Sequence, residues 1–291
     1  MNLLIITRKV DRNDSHAGHT YLWVRELARQ LAPGRLEVLC LQAGDISGLP
    51  ENVRVYSLGK EHGFGRFHRG VHFLVVVPGL LRKVDVVFCH QNPEYTIAVW
   101  PWAKVLHKHI VTWYTHGAVT WKTKAVARLA NTVLTASEES FRVKSSNVKV
   151  VGHGIDLEQF KPLQDRSAHY GFHIISVGRI SPVKDYETLL LASAKLRDEH
   201  RVNFKVDIFG EPALPIHKKY LEDLRLLRAK LALFKVVDFL GPIPNNQLSP
   251  YLQNADVLVS LSGTGSIDKV VLEAMAVDAQ LLRPMKRFGT F

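Results

Sequence analysis

Val177-Gly-Arg179-Ile-Ser-Pro-Val-Lys184-Asp-Tyr-Glu-Thr-Leu-Leu190 sets two cations on a tight turn between an apolar run and a helical stretch. The run from Phe172 to Val177 reads as a buried strand, Gly178 and Pro182 punctuate, and Tyr186 to Leu196 carries helical periodicity. The helix is predicted to start near Lys184. Its free N–H groups and positive dipole end would face whatever Arg179 and Lys184 bind, which favours a phosphate or pyrophosphate. Arginine supplies a planar fork and lysine a point charge. Taken alone, such a pair reads more readily as two exposed cations at a helix start.

The same rhythm runs outward in both directions. Leu3 to Ile6, Leu36 to Cys40, Val53 to Ser57, Val84 to Cys89, Ile110 to Tyr114 and Val133 to Ala136 read as strands with helices between them. One such helix, Tyr21 to Leu31, is ended by Pro33-Gly34. Beyond Phe172 the strands recur near Phe204 to Phe209, Val236 to Leu240 and Val257 to Ser260. Alternation of this kind predicts parallel sheets covered on both faces. The expected architecture is α/β, with two doubly wound Rossmann-like domains, residues 1–160 and 161–291, joined by a hinge between about Gly152 and Tyr170. Open α/β sheets bind ligands beyond the carboxyl ends of their strands, so the two domains are expected to face a cleft.

With 291 residues, 46% of them hydrophobic, the chain suffices for two cores. Its longest apolar stretch, Val71 to Leu81, contains His72 and Pro78 and falls well short of the roughly 20 residues of a membrane span. The N-terminus enters a strand-like segment without a basic leader or cleavage site, so secretion is not expected. Cys40 and Cys89 each end an apolar run and read as buried free thiols of a reducing cytosol. The net charge of +11 arises from 20 basic against 13 acidic residues through Phe160 and 18 against 14 thereafter. A basic excess suits phosphorylated donors, the anionic inner face of a membrane as a site of peripheral contact, or a merely soluble surface. No zinc-finger spacing, RNA-binding aromatic motif or block of five cations is present, so specific nucleic-acid binding is not expected.

The element of form G-R-x4-K resembles the diphosphate-binding element of the glycogen-synthase-like, family-four retaining glycosyltransferases, whose fold is GT-B. Val151-Gly-His-Gly-Ile-Asp-Leu-Glu-Gln-Phe-Lys-Pro162 resembles their interdomain segment, with His153 where Asn is usual. Leu272-Glu-Ala-Met-Ala276 is similar to the signature helix whose Glu binds the nucleotide ribose. Phe239-Leu-Gly-Pro and Tyr251-Leu-Gln-Asn-Ala-Asp-Val-Leu-Val-Ser260 resemble the strands between. Together these motifs, in the order of the chain, carry the resemblance across residues 151 to 276. It implies transfer of a sugar from a nucleotide-diphosphate donor to a glycan, lipid or small-molecule acceptor, with retention of configuration and without a metal or other cofactor.

On that reading Arg179 and Lys184 meet the charge developing on the departing diphosphate, and Glu273 holds the ribose. The loop Ser262-Gly263-Thr264-Gly265-Ser266 approaches the donor phosphates through backbone N–H groups. The family's usual earlier Glu falls at Gly265, and Asp268 is the nearest replacement; a carboxylate stabilised by the helix dipole is its other reading. His116, after a strand of the first domain, occupies the position of a histidine that assists transfer beside the donor sugar, or else caps its loop. His90 and Gly18 are assigned to the acceptor side, although Gly18 reads equally as a turn that starts a helix. Arg66-Phe-His-Arg-Gly-Val-His-Phe-Leu74 combines cations with apolar residues, as a membrane-surface helix or an ordinary half-buried one would.

Other α/β classes lack their signatures here. Gly263-Thr-Gly265 has Asp268 where a dinucleotide fingerprint requires glycine, and no G-K-[ST] element marks a P-loop. No D-x-D triplet or Cys/His cluster of zinc-ligand spacing occurs. The family continues past the Glu-Ala-Met-Ala helix with further βα elements and a crossover helix. Here Ala276 is followed by a basic, patternless tail, so the second domain is expected to be incomplete and the reading frame truncated or shifted. A catalytically impaired nucleotide-binding remnant is accordingly the alternative to an active enzyme.

Overall fold

The computed structural model describes residues 1–14, 18–163, 171–200, 202–263 and 268–282. It divides into two compact units, Met1–Gly152 and His153–Phe291.

In the first unit, β1 (Leu3–Val10), β2 (Leu36–Ala43), β3 (Val53–Ser57), β4 (Val86–His90), β5 (His109–Trp113), β6 (Thr132–Thr135) and β7 (Val148–Val150) form one sheet in the order β3-β2-β1-β4-β5-β6-β7. Every pairing is parallel. The helices are α1 (Gly18–Leu31), α2 (Arg66–Leu81), α3 (Pro93–Val105) and α4 (Trp121–Leu129). Strand alternation builds the two layers: Leu4 and Ile6 of β1 pack with Phe73, Val77, Val99 and Val126 from α2, α3 and α4. Leu3 and Ile5 pack with Tyr21, Val24 and Ala28 of α1 on the other face. Both faces are covered, so the first half of β1, Leu3 to Ile6, is an unbroken apolar run instead of alternating.

The second unit repeats the plan with β8 (Phe172–Val177), α5 (Tyr186–His200), β9 (Phe204–Phe209), α6 (Lys218–Lys230), β10 (Val237–Gly241), α7 (Asn245–Asn254), β11 (Val257–Val259), α8 (Lys269–Ala276) and β12 (Gln280–Leu282). The sheet order is β10-β9-β8-β11-β12, again parallel throughout. Ile174 of β8 packs with Leu189 and Leu190 of α5 and Leu224 of α6. Ile175 packs with Leu248 and Leu252 of α7 and Val271 and Ala274 of α8. The strand order reverses direction at β8 and β11, which makes the carboxyl ends of these two strands the switch point.

Two expectations need revision. The boundary lies at Gly152, ahead of residue 160, because Phe160 is buried in the second core beside Ile175 and Leu248. Hydrogen bonds from Gln159 to the Asn245 carbonyl and from Ser249 to the Gln159 carbonyl hold this segment there. The stretch after Ala276, where the sequence shows no strand, contains β12, which pairs with β11 from Val257↔Gln280 to Val259↔Leu282. β7 and β12 are three residues each, too short to show a period.

Candidate functional site

The chain leaves β8 at Gly178 and folds into a 3-10 turn, Pro182–Lys184, before α5 begins at Tyr186. The helix does not start at Lys184, because Asp185 takes a left-handed conformation with φ 49° and breaks the run. The Asp185 carboxylate accepts the Thr188 N–H at 3.3 Å and the Thr188 hydroxyl at 2.8 Å. One helix-start donor expected to face a ligand is therefore already satisfied by the chain itself.

Close backbone approach shapes this turn. A β-carbon at Gly210, where φ is 150°, would lie 1.8 Å from the Gly178 carbonyl oxygen. One at Gly178 would lie 3.3 Å from Cε of Lys184. Glycine at 178 thus lets the Lys184 stem lie against the end of β8, where the Tyr186 hydroxyl donates to the Gly178 carbonyl at 3.1 Å. Lys184 is directed onto Asp268, with Nζ 2.6 Å from Oδ2, and the Ser260 hydroxyl donates to the same oxygen at 3.1 Å. The Gly263 N–H reaches the Val183 carbonyl at 3.3 Å, so the chain leaving β11 is tied to the turn leaving β8. Arg179 stands exposed beside them and forms no ion pair among the described residues.

Glu273 projects from α8 into a buried setting and is 2% exposed. Its Oε1 accepts from Asn245 Nδ2 at 3.0 Å and lies 3.8 Å from Lys269 Nζ. Burial pushes the Glu273 carboxyl above its ordinary range, while Lys269 and Asn245 oppose that rise. Burial lowers the Lys269 ammonium against the pull of Glu273 and Asp156. His153 is lowered by burial and by Lys269, with Asp268 pulling the other way. One face of the second unit therefore gathers Lys184, Asp268, Lys269, Glu273, Asn245 and His153. Lys269 was legible as the residue four before Glu273 on a helix; Asn245 carried no signal, because α7 reaches α8 only through the fold. Thr264, Gly265 and Ser266 lie outside the described residues.

In the first unit, His116 follows β5 on an exposed loop, and its Nδ1 accepts the Ala118 N–H at 3.3 Å. His90 closes β4 and is buried: Nδ1 lies 3.1 Å from the Thr7 hydroxyl, while Trp23 packs at a ring-centroid distance of 5.5 Å. Burial, and then His19, lower its pKa to about 3, so it is a neutral imidazole under the surface. Gly18 is the first residue of α1, and a β-carbon there would come no closer than 3.7 Å to the Arg12 carbonyl. That is ordinary contact and does not require glycine.

Known proteins resemble this chain in sequence over its second unit and in fold over nearly its whole length. Residues 147–279 match the family model described as glycosyl transferases group 1. The chain is 32% identical over 167 residues to the D-inositol 3-phosphate glycosyltransferase of Streptomyces avermitilis, an alignment covering 53% of this chain and 36% of the relative. It is 31% identical over 165 residues to D-inositol 3-phosphate glycosyltransferase 2 of Catenulispora acidiphila, covering 51% and 37%. The chain thus spans little more than a third of these relatives' length. HepE of Anabaena, solved in complex with UDP, superposes with a TM-score of 0.74 at 16% identity, covering 97% of this chain and 80% of that one. Sucrose-phosphate synthase of Thermosynechococcus elongatus superposes with a TM-score of 0.69 at 15% identity, covering 97% and 81%. Two parallel-sheet Rossmann-like units make up the chain, and residues 147–279 in it are similar to the glycosyl transferases group 1 family.

Proposed function

We propose that this protein is a retaining glycosyltransferase that moves a hexosyl-type sugar from a nucleotide-diphosphate donor to a hydroxyl of a glycan, lipid or small-molecule acceptor in the cytoplasm. The observation that carries the reading is the group on the second unit's switch point: Arg179 and Lys184 on one turn, Asp268 against Lys184, and Glu273 on the helix beyond. In the reaction, the anomeric C–O bond to the diphosphate breaks, a bond to the acceptor oxygen forms, and the hydroxyl proton leaves with the diphosphate. Arg179 and Lys184 stabilise the leaving charge, and Glu273 takes the ribose hydroxyls. His116 hydrogen-bonds a donor-sugar hydroxyl. Gly18 and His90 belong to the acceptor side, His90 from beneath the surface. Retention rests on the resemblance of the motifs. The UDP complex of HepE supports a nucleotide donor as the first to test. Two buried free cysteines suit a reducing compartment.

The test is calorimetric titration with uridine, guanosine and adenosine diphosphates and their sugar conjugates, followed by a transfer assay with the donor that binds. Arg179→Ala or Lys184→Ala should cost about 1.5–3 kcal/mol in diphosphate affinity and little in nucleoside affinity. Equal losses for both ligands would remove these residues from the diphosphate site. A second reading, nucleotide binding without transfer, draws on Gly265 standing where the family carries a carboxylate and on Asp268 occupying Lys184. Binding without transfer or donor hydrolysis would select it.

A further inference from the structure

Helix α2 is apolar on two sides. Phe73, Val77, Leu80 and Leu81 enter the first unit's core. Phe67, Val71, Leu74 and Val75, spaced by four, three and one, form a second stripe that faces outward. Phe67 is 87% exposed and Val75 72%. A helix needs one apolar face to join a core; a second one in water is a cost that a partner removes.

The charges around the stripe specify the partner. Arg66 and Arg69 lie in the first turn, and Arg82 and Lys83 follow the last. No acidic residue occurs between Glu61 and Asp85. Sixteen residues of helix span about 24 Å, so cations stand at both ends of the helix that carries the exposed stripe. Phe64, Phe67, His68, Val71, His72 and Val75 also line an open groove of about 390 Å³, wide enough to admit part of an acyl chain.

We propose that this face of α2 seats the protein on an anionic lipid bilayer, with the Phe67–Val75 stripe in the acyl boundary and the flanking arginines and lysine on the headgroups. The charge pattern favours lipid over a second copy of the chain. A two-fold pairing through this face would set its cation clusters against their equals, whereas an anionic leaflet neutralises them. The surface belongs to the first unit and is independent of the nucleotide reading, so its test stands apart from the transfer assay.

The experiment is co-sedimentation of the full chain with vesicles of phosphatidylcholine alone or mixed with phosphatidylglycerol, at low and high salt. Binding should require phosphatidylglycerol and weaken with salt. The paired variants Phe67→Ser/Val75→Ser and Arg66→Glu/Arg69→Glu should each lower it by about tenfold or more. Leu226→Ser, an exposed apolar residue of α6, serves as the control and should bind as the parent does. The altered side chains lie outside the core, and unchanged circular dichroism and melting would establish that the variants fold. Failure of the parent to bind mixed vesicles, or undiminished binding by both pairs, overturns the proposal. Self-association abolished by Phe67→Ser/Val75→Ser without any vesicle binding overturns it in favour of a second copy.

Discussion

Lys184 Nζ and Asp268 Oδ2 lie 2.6 Å apart although 84 residues separate them in the chain. The pair joins the turn after β8 to the start of α8, and both side chains are largely shielded, at 14% and 26% exposure. A lysine expected to meet a diphosphate thus already has an anion on it. An incoming phosphate must share the ammonium with that carboxylate or displace it. Asp268→Asn should therefore tighten nucleoside diphosphate binding by roughly three- to tenfold and leave nucleoside binding unchanged. Calorimetry with both ligands checks this; unchanged or weaker diphosphate binding would show that Asp268 does not compete.

The backbone under this pair is equally testable. Gly210→Ala places a methyl group 1.8 Å from the Gly178 carbonyl oxygen, so the ends of β8 and β9 must separate. A loss of about 1–3 kcal/mol in folding stability is expected, read from urea unfolding. Because Gly178 underlies the Lys184 stem, diphosphate affinity should fall with it. A variant as stable as the parent would mean the two strand ends yield easily.

Lys269 faces Glu273, the most buried carboxylate of the site. Lys269→Ala leaves that carboxylate without its nearby cation and should cost about 1–3 kcal/mol near neutral pH. The sign follows from protonation. Burial raises the Glu273 pKa, so below that raised value the carboxyl is neutral and the missing cation no longer matters. The difference between parent and variant should shrink as pH falls from 7 towards about 4, measured by unfolding at each pH. A difference that grows on acidification would contradict this account.

His173 and Asp207 form a second ion pair, Nε2 to Oδ2 at 2.8 Å, with Lys205 Nζ 3.1 Å from the other carboxylate oxygen. The hydrogen bond that His173 donates to Asp207 raises the histidine's pKa above its ordinary 6.5. Burial opposes ionisation of Asp207, but hydrogen bonds from His173 and Lys205 hold it below 3.8. The histidine's contribution is full below pH 6.5 and is lost as pH rises through the folded pKa; the aspartate's is full above pH 3.8 and is lost on acidification through its depressed folded value. Stability should fall by about 0.5–1 kcal/mol as pH rises from 6 to 8, and His173→Gln should remove that slope. Melting temperatures across the range decide it; an unchanged slope in the variant would assign the titration elsewhere.

Much of the fold was legible because β8, β9 and the central strands of the first unit are buried on both faces. Leu3 to Ile6 and Phe204 to Phe209 consequently read as apolar runs, and turn residues marked their ends. The turn after β8 was legible too, because Gly178, Arg179 and Lys184 lie within seven residues of one another. The edge strands β7 and β12 were not, since they are three residues each and half exposed, whereas the equally short β11 is buried and reads as an apolar run. The start of α5 was legible to within two residues from the periodicity that begins at Tyr186; the left-handed backbone at Asp185 that fixes it was not.

By itself the sequence determined the alternation of strands and helices, the two cores and the local placing of cations at a strand end, because burial pattern and turn chemistry act between near neighbours. Only the tertiary structure decided what those cations meet. Asp268 reaches Lys184, and Asn245 reaches Glu273, because the switch in strand order and the packing of α7 on α8 bring distant segments together. The outward face of α2 has the same origin: Phe67 and Val75 share the helical apolar pattern of Phe73 and Val77. Which of the two stripes a helix buries is set by the sheet it lands on.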